Sequence, residues 1–386
     1  MPPSLHFGPD PRLPGVYQDK HALGIPVTKC LRQSASVLSL MKRNPAGGET
    51  LAARKRAANR YYSGPPSDHF DGTLFFNPNG KPPARFSDLL KWQLGGERSK
   101  WPAANPSPFH QATPAKRIDG SGLRLTMVGH STLLIQTAGL NILTDPVWSR
   151  RVSPLSFAGP KRVNLPGIAF SNLPPIDLVL VSHNHYDHLD LATLKRLKTK
   201  HDPLVLTPLG NDAIIDDGVP GMRLSVHDWG ERVEIGKDVA VYVEPVHHWS
   251  ARGTRDRRMA LWAGFVVETP GGKAYFAGDT GFHDGINYRL MAERHGGFRL
   301  AILPIGAYEP RWFMAPHHQN PEEAVQGMLL CNAAHAAGCH WGTFRLTNEP
   351  IDEPARNLGE ALDDQGIPQE RFRALRPGEV WDVPAV

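Results

Sequence analysis

The sequence predicts an α/β domain in which two sheets pack against each other with helices on their outer sides. Short apolar runs rich in β-branched residues arrive in two sets, within 123–207 and within 239–305, and helical sequence follows each set. The 36 Pro and 37 Gly among 386 residues favour abundant loops over long helices.

Taken in order, residues 1–30 are Pro- and Gly-rich without a period and read as irregular. Residues 31–60 mix Val37, Leu38, Leu40, Met41 and Leu51 with Arg32, Lys42, Arg43, Arg54, Lys55, Arg56 and Arg60. They read as a solvated helix face packed on the domain or as a basic amphipathic segment that touches anionic lipid. Residues 61–120 alternate aromatics with Pro and read as a wrap around the domain, with a lid or part of a substrate groove as the alternative; a short helix over 87–94 would be capped by Ser87. The extension is therefore drawn as 1–115 and the catalytic domain as 116–386. Strands are expected at 123–128, 132–136, 140–144, 177–181, 204–207 and 239–244, a hairpin over 262–277 and a strand at 300–303. Asp190 caps a helix marked by Leu191, Leu194 and Leu197. Asn320-Pro321-Glu322-Glu323 opens a second helix that is expected to reach about Ala336. A helix over 355–365 and a strand near 379–383 close the chain.

The net charge of +5 permits an anionic partner without specifying one. Cys30, Cys331 and Cys339 make no disulfide framework, which fits a reducing compartment. No run of 18 apolar residues occurs, and the N-terminus lacks a charged-then-apolar signal pattern. The expected location is cytoplasmic or peripheral on a membrane. A nucleic-acid partner would call for a dedicated basic arm, and none is expected.

The chemistry concentrates in Ser182-His183-Asn184-His185-Tyr186-Asp187-His188-Leu189-Asp190, directly after the apolar run 177–181. Residues i and i+2 of an extended segment face the same way, so His183 and His185 can chelate one ion. Asp187 and His188 follow as the chain turns and can hold a second. Imidazole and carboxylate donors favour Zn²⁺, with Fe or Mn as alternatives.

This H-x-H-x-D-H motif resembles the signature of the metallo-β-lactamase superfamily. Phe276-Ala277-Gly278-Asp279-Thr280-Gly281, the stretch Pro304-Ile305-Gly306-Ala307-Tyr308-Glu309-Pro310-Arg311-Trp312-Phe313-Met314 and His340-Trp341-Gly342-Thr343-Phe344 resemble its branch of N-acylphosphatidylethanolamine-hydrolysing phospholipases D and bacterial relatives. The resemblance covers roughly residues 120–375. It implies an αβ/βα sandwich of two mixed sheets with metals at one edge. It implies that His183, His185 and His248 hold one ion, that Asp187, His188 and His340 hold another, and that Asp279 bridges them. His248 is preferred to His247 because the family's ligand directly precedes a Trp. His130 and Asp145 would support these ligands from behind. The activity implied is hydrolysis of an N-acylated glycerophospholipid by a hydroxide bridging two Zn²⁺ ions, giving an N-acylethanolamine and phosphatidic acid. Asp187, Asp279 and His318 would carry catalysis, His318 as acid or as substrate-positioning group, or else merely as a helix cap. Phe157, Tyr308, Arg311 and His318 would meet the phospholipid substrate. A lactonase, a small phosphate-ester hydrolase, a nuclease and a non-catalytic metal-binding scaffold are the alternatives. A homodimer is compatible with all of them.

Overall fold

In a computed structural model of the protein the described residues are 58–95, 98–155 and 157–386. The expectations placed on residues 1–57, including most of the basic 31–60 stretch, lie outside them.

Helix α1 (Phe86–Leu94) precedes the sheets. It starts at Phe86, so Ser87 lies inside it and does not cap it; instead the Asp88 carboxylate accepts from the Arg85 N–H at 3.0 Å. Strands β1 (Leu123–Gly129), β2 (Thr132–Thr137) and β3 (Leu140–Thr144) form an antiparallel meander. β4 (Leu178–Leu180) adds parallel to β3. Helix α2 (Leu191–His201) leads to β5 (Leu204–Pro208), and α3 (Asn211–Gly218) to β6 (Arg223–His227), both strands parallel. The second sheet opens with antiparallel β7 (Arg232–Gly236), β8 (Val239–Glu244), β9 (Gly264–Thr269) and β10 (Gly272–Phe276). After α4 (Ile286–His295), β11 (Phe298–Pro304) runs parallel to β10. Helices α5 (Arg311–Met314) and α6 (Pro321–Leu330) lead to parallel β12 (Ala333–Cys339), and α7 (Glu353–Asp364) leads to β13 (Phe372–Arg373). β14 (Val380–Asp382) returns to pair antiparallel with β1. The result is two seven-stranded mixed sheets, ordered β14-β1-β2-β3-β4-β5-β6 and β13-β12-β11-β10-β9-β8-β7.

Strand alternation makes the layers. Side chains two apart share a face, so Leu133 and Ile135 of β2 and Leu178 and Leu180 of β4 point inward to meet Phe265, Leu300 and Ile302 of the other sheet. Their neighbours Leu134 and Val179 point outward, under Leu194 and Leu197 of α2 and Ile214 and Ile215 of α3. Ala301 and Leu303 of β11 face outward beneath Tyr288, Met291, Val325, Met328 and Leu362. Strands covered on both faces read as continuous apolar runs, which is why the inner strands were visible in the sequence. Truncating Phe265, buried completely, to Ala would cost about 3–5 kcal/mol.

One expected element changes type. α6 stops at Leu330, and residues 333–339, expected to begin as helix, form β12. Asn332 stands at φ 55°, a left-handed conformation that ends a helix. Small Ala and Gly side chains then let β12 pair on both sides, with β11 and β13. α6 does begin as its sequence predicts: Asn320 accepts from the Glu323 N–H at 2.8 Å, and Glu323 accepts from the Asn320 N–H at 2.9 Å.

Ahead of the sheets, residues 58–95 and 98–118 run over the sandwich and anchor at several points. Asn59 donates to the carbonyls of Thr73 and Met259, both at 2.8 Å. Phe70 and Phe75 bury with Val246, Leu261 and Trp262. His69 sits between Asp68 at 2.6 Å and Asp228 at 2.7 Å. The Trp92 indole donates to Asn348 at 2.9 Å. No helix among the described residues is long and apolar enough to cross a membrane.

Candidate metal centre

Strand ends from both sheets bring the chemistry to one edge. His130 follows β1, Asp145 follows β3, and residues 182–190 follow β4; His247 and His248 follow β8, Asp279 follows β10, and His340 follows β12. Several of these turns use backbone that L residues adopt rarely: His130 has φ 59°, Asp145 33° and His340 62°. Such conformations persist where surrounding structure over-determines them, and they cluster at functional sites. Gly278, at φ 61°, answers a second demand: a Cβ there would lie 2.8 Å from the Ser182 Cβ. Only glycine lets Asp279 approach the 182–190 loop this closely.

Two sets of ligand-type atoms converge. In the first, the His185 Nδ1 lies 2.9 Å from the His183 Nε2 and 3.2 Å from the His248 Nε2. In the second, the Asp279 Oδ2 lies 3.2 Å from the His188 Nε2 and 3.1 Å from the His340 Nε2, while the Asp187 Oδ2 lies 3.5 Å and 3.3 Å from the same two nitrogens. The Asp279 Oδ2 is also 3.7 Å from the His248 Nε2, so this carboxylate faces both sets.

The partners behind these rings set their tautomers. The Ser182 hydroxyl donates to the Asp145 Oδ2 at 2.6 Å, so toward His183 it is left to accept, from the Nδ1–H at 2.9 Å. The His188 Nδ1 donates to the same Asp145 oxygen at 2.6 Å. The His248 Nδ1 donates to the His317 carbonyl at 3.1 Å. With these protons placed outside, the Nε2 atoms of His183, His188 and His248 all aim inward. The His130 Nε2 donates to the Asp187 Oδ2 at 2.9 Å. Fixing a remote N–H in this way is how proteins orient imidazole toward a cation.

Electrostatics agree with a cation-binding cluster. Burial pushes His183 and His248 well below the usual histidine range, and pushes His185 down to about 4. Burial also opposes charge on His188 and His340, but the carboxylates outweigh it: Asp279, Asp187 and Asp145 raise His188, and Asp279 and Asp187 raise His340 to about 9. Burial acts to raise Asp187 and Asp279, yet the facing histidines, His188 first, hold both well below the carboxylate range. Asp279 Oδ1 is buried with no hydrogen-bond partner. Converging lone pairs, buried carboxylates and an orphaned oxygen form a donor set that a divalent metal satisfies.

The structure gathers His183, His185, Asp187, His188, His248, Asp279 and His340, with His318 at their border, its Nδ1 3.9 Å from the Asp279 Oδ2. His247 stands outside: its ring stacks on His283 at 4.0 Å and its Nδ1 faces the Asn287 amide at 3.1 Å. The other residues assigned to substrate are placed differently. Phe157 is 77% exposed and does not line the cavity described below. Tyr308 is buried, its hydroxyl donating to Glu353 at 2.8 Å. The Arg311 guanidinium pairs with both Glu323 oxygens at 2.7 Å and donates to the His318 carbonyl at 2.9 Å. Tyr308 and Arg311 are thereby committed inside the protein, and Arg311 steadies the backbone that carries His318.

A cavity of about 450 Å³ opens beside the cluster. His185 and His318 border it on the cluster side, and Leu89, Trp92, Phe313 and Met314 supply mostly apolar walls. Trp92 of α1 stacks on Phe313 at 5.1 Å, so the segment ahead of the sheets completes the cavity. Trp249 lines it too, 4.7 Å from the His185 ring. Trp92 was visible in the sequence only as one of several isolated aromatics, and no spacing singled out Trp249 as a wall.

A β-lactamase superfamily domain profile matches residues 140–341. The chain belongs to the β-lactamase superfamily. It is a metal-dependent hydrolase of the metallo-β-lactamase fold. It is 40% identical over 289 residues, 72% of this chain and 80% of the relative, to N-acyl-phosphatidylethanolamine-hydrolyzing phospholipase D 1 of Caenorhabditis elegans. It is 34% identical over 264 residues to the mitochondrial N-acyl-phosphatidylethanolamine-hydrolyzing phospholipase D of Saccharomyces cerevisiae, covering 67% of this chain and 56% of that one. Among solved structures, an isothiocyanate hydrolase from Delia radicum gut bacteria shares the fold, with a TM-score of 0.54, 20% identity and coverage of 68% of this chain and 100% of that one.

Proposed function

We propose that the chain is a zinc-dependent phosphodiesterase of the phospholipase D type that cleaves N-acylphosphatidylethanolamine into an N-acylethanolamine and phosphatidic acid. The observation that carries this reading is the apolar cavity opening directly onto the His/Asp cluster. A small phosphate ester gains nothing from walls of Leu89, Trp92, Phe313 and Met314, whereas an acyl chain loses water against them. The names of the roundworm and yeast relatives support the same substrate. α1 and α5, which wall the cavity, also expose Leu94 and Trp312, which suits substrate entry from a lipid surface.

In this reading His183, His185 and His248 would hold one ion and Asp187, His188 and His340 a second, with Asp279 placed to serve either. An all-imidazole and carboxylate set suits zinc and also accommodates Fe or Mn. The chemistry supplied by such ions when bound is a nucleophile drawn from water at neutral pH and a Lewis acid for the phosphoryl oxygens. The chain does the rest. Asp145 holds His188, Ser182 holds His183, and His130 holds Asp187, so the ligands are set before substrate arrives. His318, pushed down to about 4 by burial, is neutral at working pH. Standing between cluster and cavity, it orients the substrate oxygens by hydrogen bonding. The cavity walls exclude water from the acyl side and fix the direction of the leaving alcohol.

Elemental analysis joined to a substrate panel tests the proposal. Two zinc ions per chain and turnover of N-acylphosphatidylethanolamine ahead of lactones and small phosphate esters are expected. A metal-free protein whose activity ignores chelators, or turnover confined to lactones, would refute it.

A further inference from the structure

Arg257 stands apart from the other residues that line the cavity. The remaining wall is made of apolar, small, hydroxyl and imidazole groups, so Arg257 contributes its fixed positive charge alone. It is half-buried, and among the described residues no carboxylate forms an ion pair with it. Its position is nevertheless built: one guanidinium nitrogen, Nη2, donates to the Ala84 carbonyl at 3.0 Å, and Cζ lies over the Trp249 ring at 4.7 Å. Stacking on an indole and one backbone acceptor leave most of the guanidinium donors available. Arg311, the cation assigned to substrate in the sequence, is by contrast ion-paired with Glu323 and bonded to the His318 carbonyl.

Its place in the cavity decides what Arg257 can read. Trp249 touches both groups: the guanidinium lies over its ring at 4.7 Å, and the His185 ring is 4.7 Å from the indole. Arg257 thus shares one aromatic neighbour with the cluster and lines the same cavity as His185. In the reading above that cavity takes the leaving alcohol with its acyl chain, so Arg257 lines the leaving-group side of the substrate. A half-buried guanidinium without a counter-ion lowers its free energy by donating to an oxygen acceptor, and an arginine fork does so with defined geometry.

Resting on the phosphodiesterase reading above, we propose that Arg257 is a specificity-determining residue that recognises an oxygen acceptor, a carbonyl or a carboxylate, carried by the leaving-group side of the substrate. In an N-acylethanolamine phosphodiester that acceptor is the amide carbonyl, which lies between the phosphate and the acyl chain. Arg257 then distinguishes an N-acylated headgroup from a plain alkyl one, a distinction that the apolar walls cannot make.

The test measures kcat/KM of the metal-loaded enzyme on three phosphodiesters of the same diacylglycerol. One is esterified to an N-acylethanolamine, one to a plain long-chain alcohol, and one to an N-acylserine, which adds a carboxylate. Wild type is expected to favour the amide substrate over the plain alcohol by roughly 10- to 100-fold, the worth of one hydrogen bond to a charged donor. Arg257→Met should abolish that preference, bringing the amide rate down to the level of the plain-alcohol rate, and Arg257→Lys should restore part of it. A further preference for the serine substrate that disappears in Arg257→Met assigns the acceptor as carboxylate; its absence assigns it as the amide carbonyl. Two results overturn the inference: Arg257→Met lowers all three rates alike, or it keeps the wild-type preference. Should Arg257→Met fail to fold, equal wild-type rates on the amide and plain substrates overturn it without the variant. A wild type inert toward all three diesters would instead bring down the phosphodiesterase reading itself, and this inference with it.

Discussion

Asp145 touches no substrate, yet its replacement by asparagine should weaken the hold of the centre on metal. Its Oδ2 accepts from the His188 Nδ1 and from the Ser182 hydroxyl, both at 2.6 Å, and its Oδ1 accepts from the Ser182 N–H at 2.7 Å. Asp145 and His188 are both fully buried. Asparagine keeps the shape but replaces one acceptor oxygen by an NH₂ donor. If the donor faces His188, two N–H groups oppose each other, and relief comes from moving the imidazole proton to Nε2, which blocks the lone pair aimed at Asp279. If the amide turns the other way, its donor meets the Ser182 N–H, and the same kind of conflict disturbs His183. Losing such a partner costs about 10- to 100-fold in metal affinity, or roughly 1.4–2.7 kcal/mol. Competition with a zinc chelator, read by a metal-sensitive dye on the purified folded variant, measures it directly. A folded Asp145→Asn variant that retains metal as tightly as wild type would refute the reasoning that this carboxylate sets the His188 tautomer.

Two further outcomes follow from particular contacts. His248→Ala should nearly abolish hydrolysis and His247→Ala should be mild, because only His248 directs a ring nitrogen at His185 while His247 stacks on His283; kcat of the two variants ranks them, and the opposite ranking would exchange their roles. His69 should stabilise the fold most under mildly acidic conditions. Burial pushes its pKa down, but Asp228 and Asp68 outweigh burial and raise it, so its contribution is complete below the unfolded-state value of about 6.5 and is lost as pH rises through the higher folded value. His69→Gln should therefore lower the unfolding midpoint more at about pH 5.5 than at about pH 9, and a pH-independent difference would contradict the sign.

Much of the sandwich was legible because its central strands are covered on both faces. Leu178, Val179 and Leu180 are all fully buried, so β4 reads as an unbroken apolar run that ends where the histidine motif begins. The edge strands escaped notice. β6 and β7 are edge strands, one in each sheet, half-buried to exposed along their length, and carry Arg223, Ser225, Arg232 and Glu234 among their apolar residues. α3 and α4 were hidden because neither begins with a side-chain cap; both follow a glycine in left-handed conformation. β12 misled because alanine favours helix, and only pairing between β11 and β13 overrides that preference. At the centre, spacing brought His183, His185, Asp187 and His188 into view, whereas Asp279 and His340 came only through resemblance, since no local period joins strand ends from two sheets. The cavity was the least legible part. Trp92, Trp249, Arg257 and Phe313 come from separate segments that meet only after the chain ahead of the sheets has wrapped the sandwich.

In the proposed reaction the attacked atom is phosphorus, held at the metal centre with an acyl chain in the adjoining cavity. Hydrolysis of N-acylphosphatidylethanolamine in H₂¹⁸O, followed by mass analysis of both products, tests it most directly. Attack on phosphorus predicts one ¹⁸O in phosphatidic acid and none in the N-acylethanolamine. Label in the alcohol, or no turnover of this lipid by the metal-loaded protein, would contradict the account.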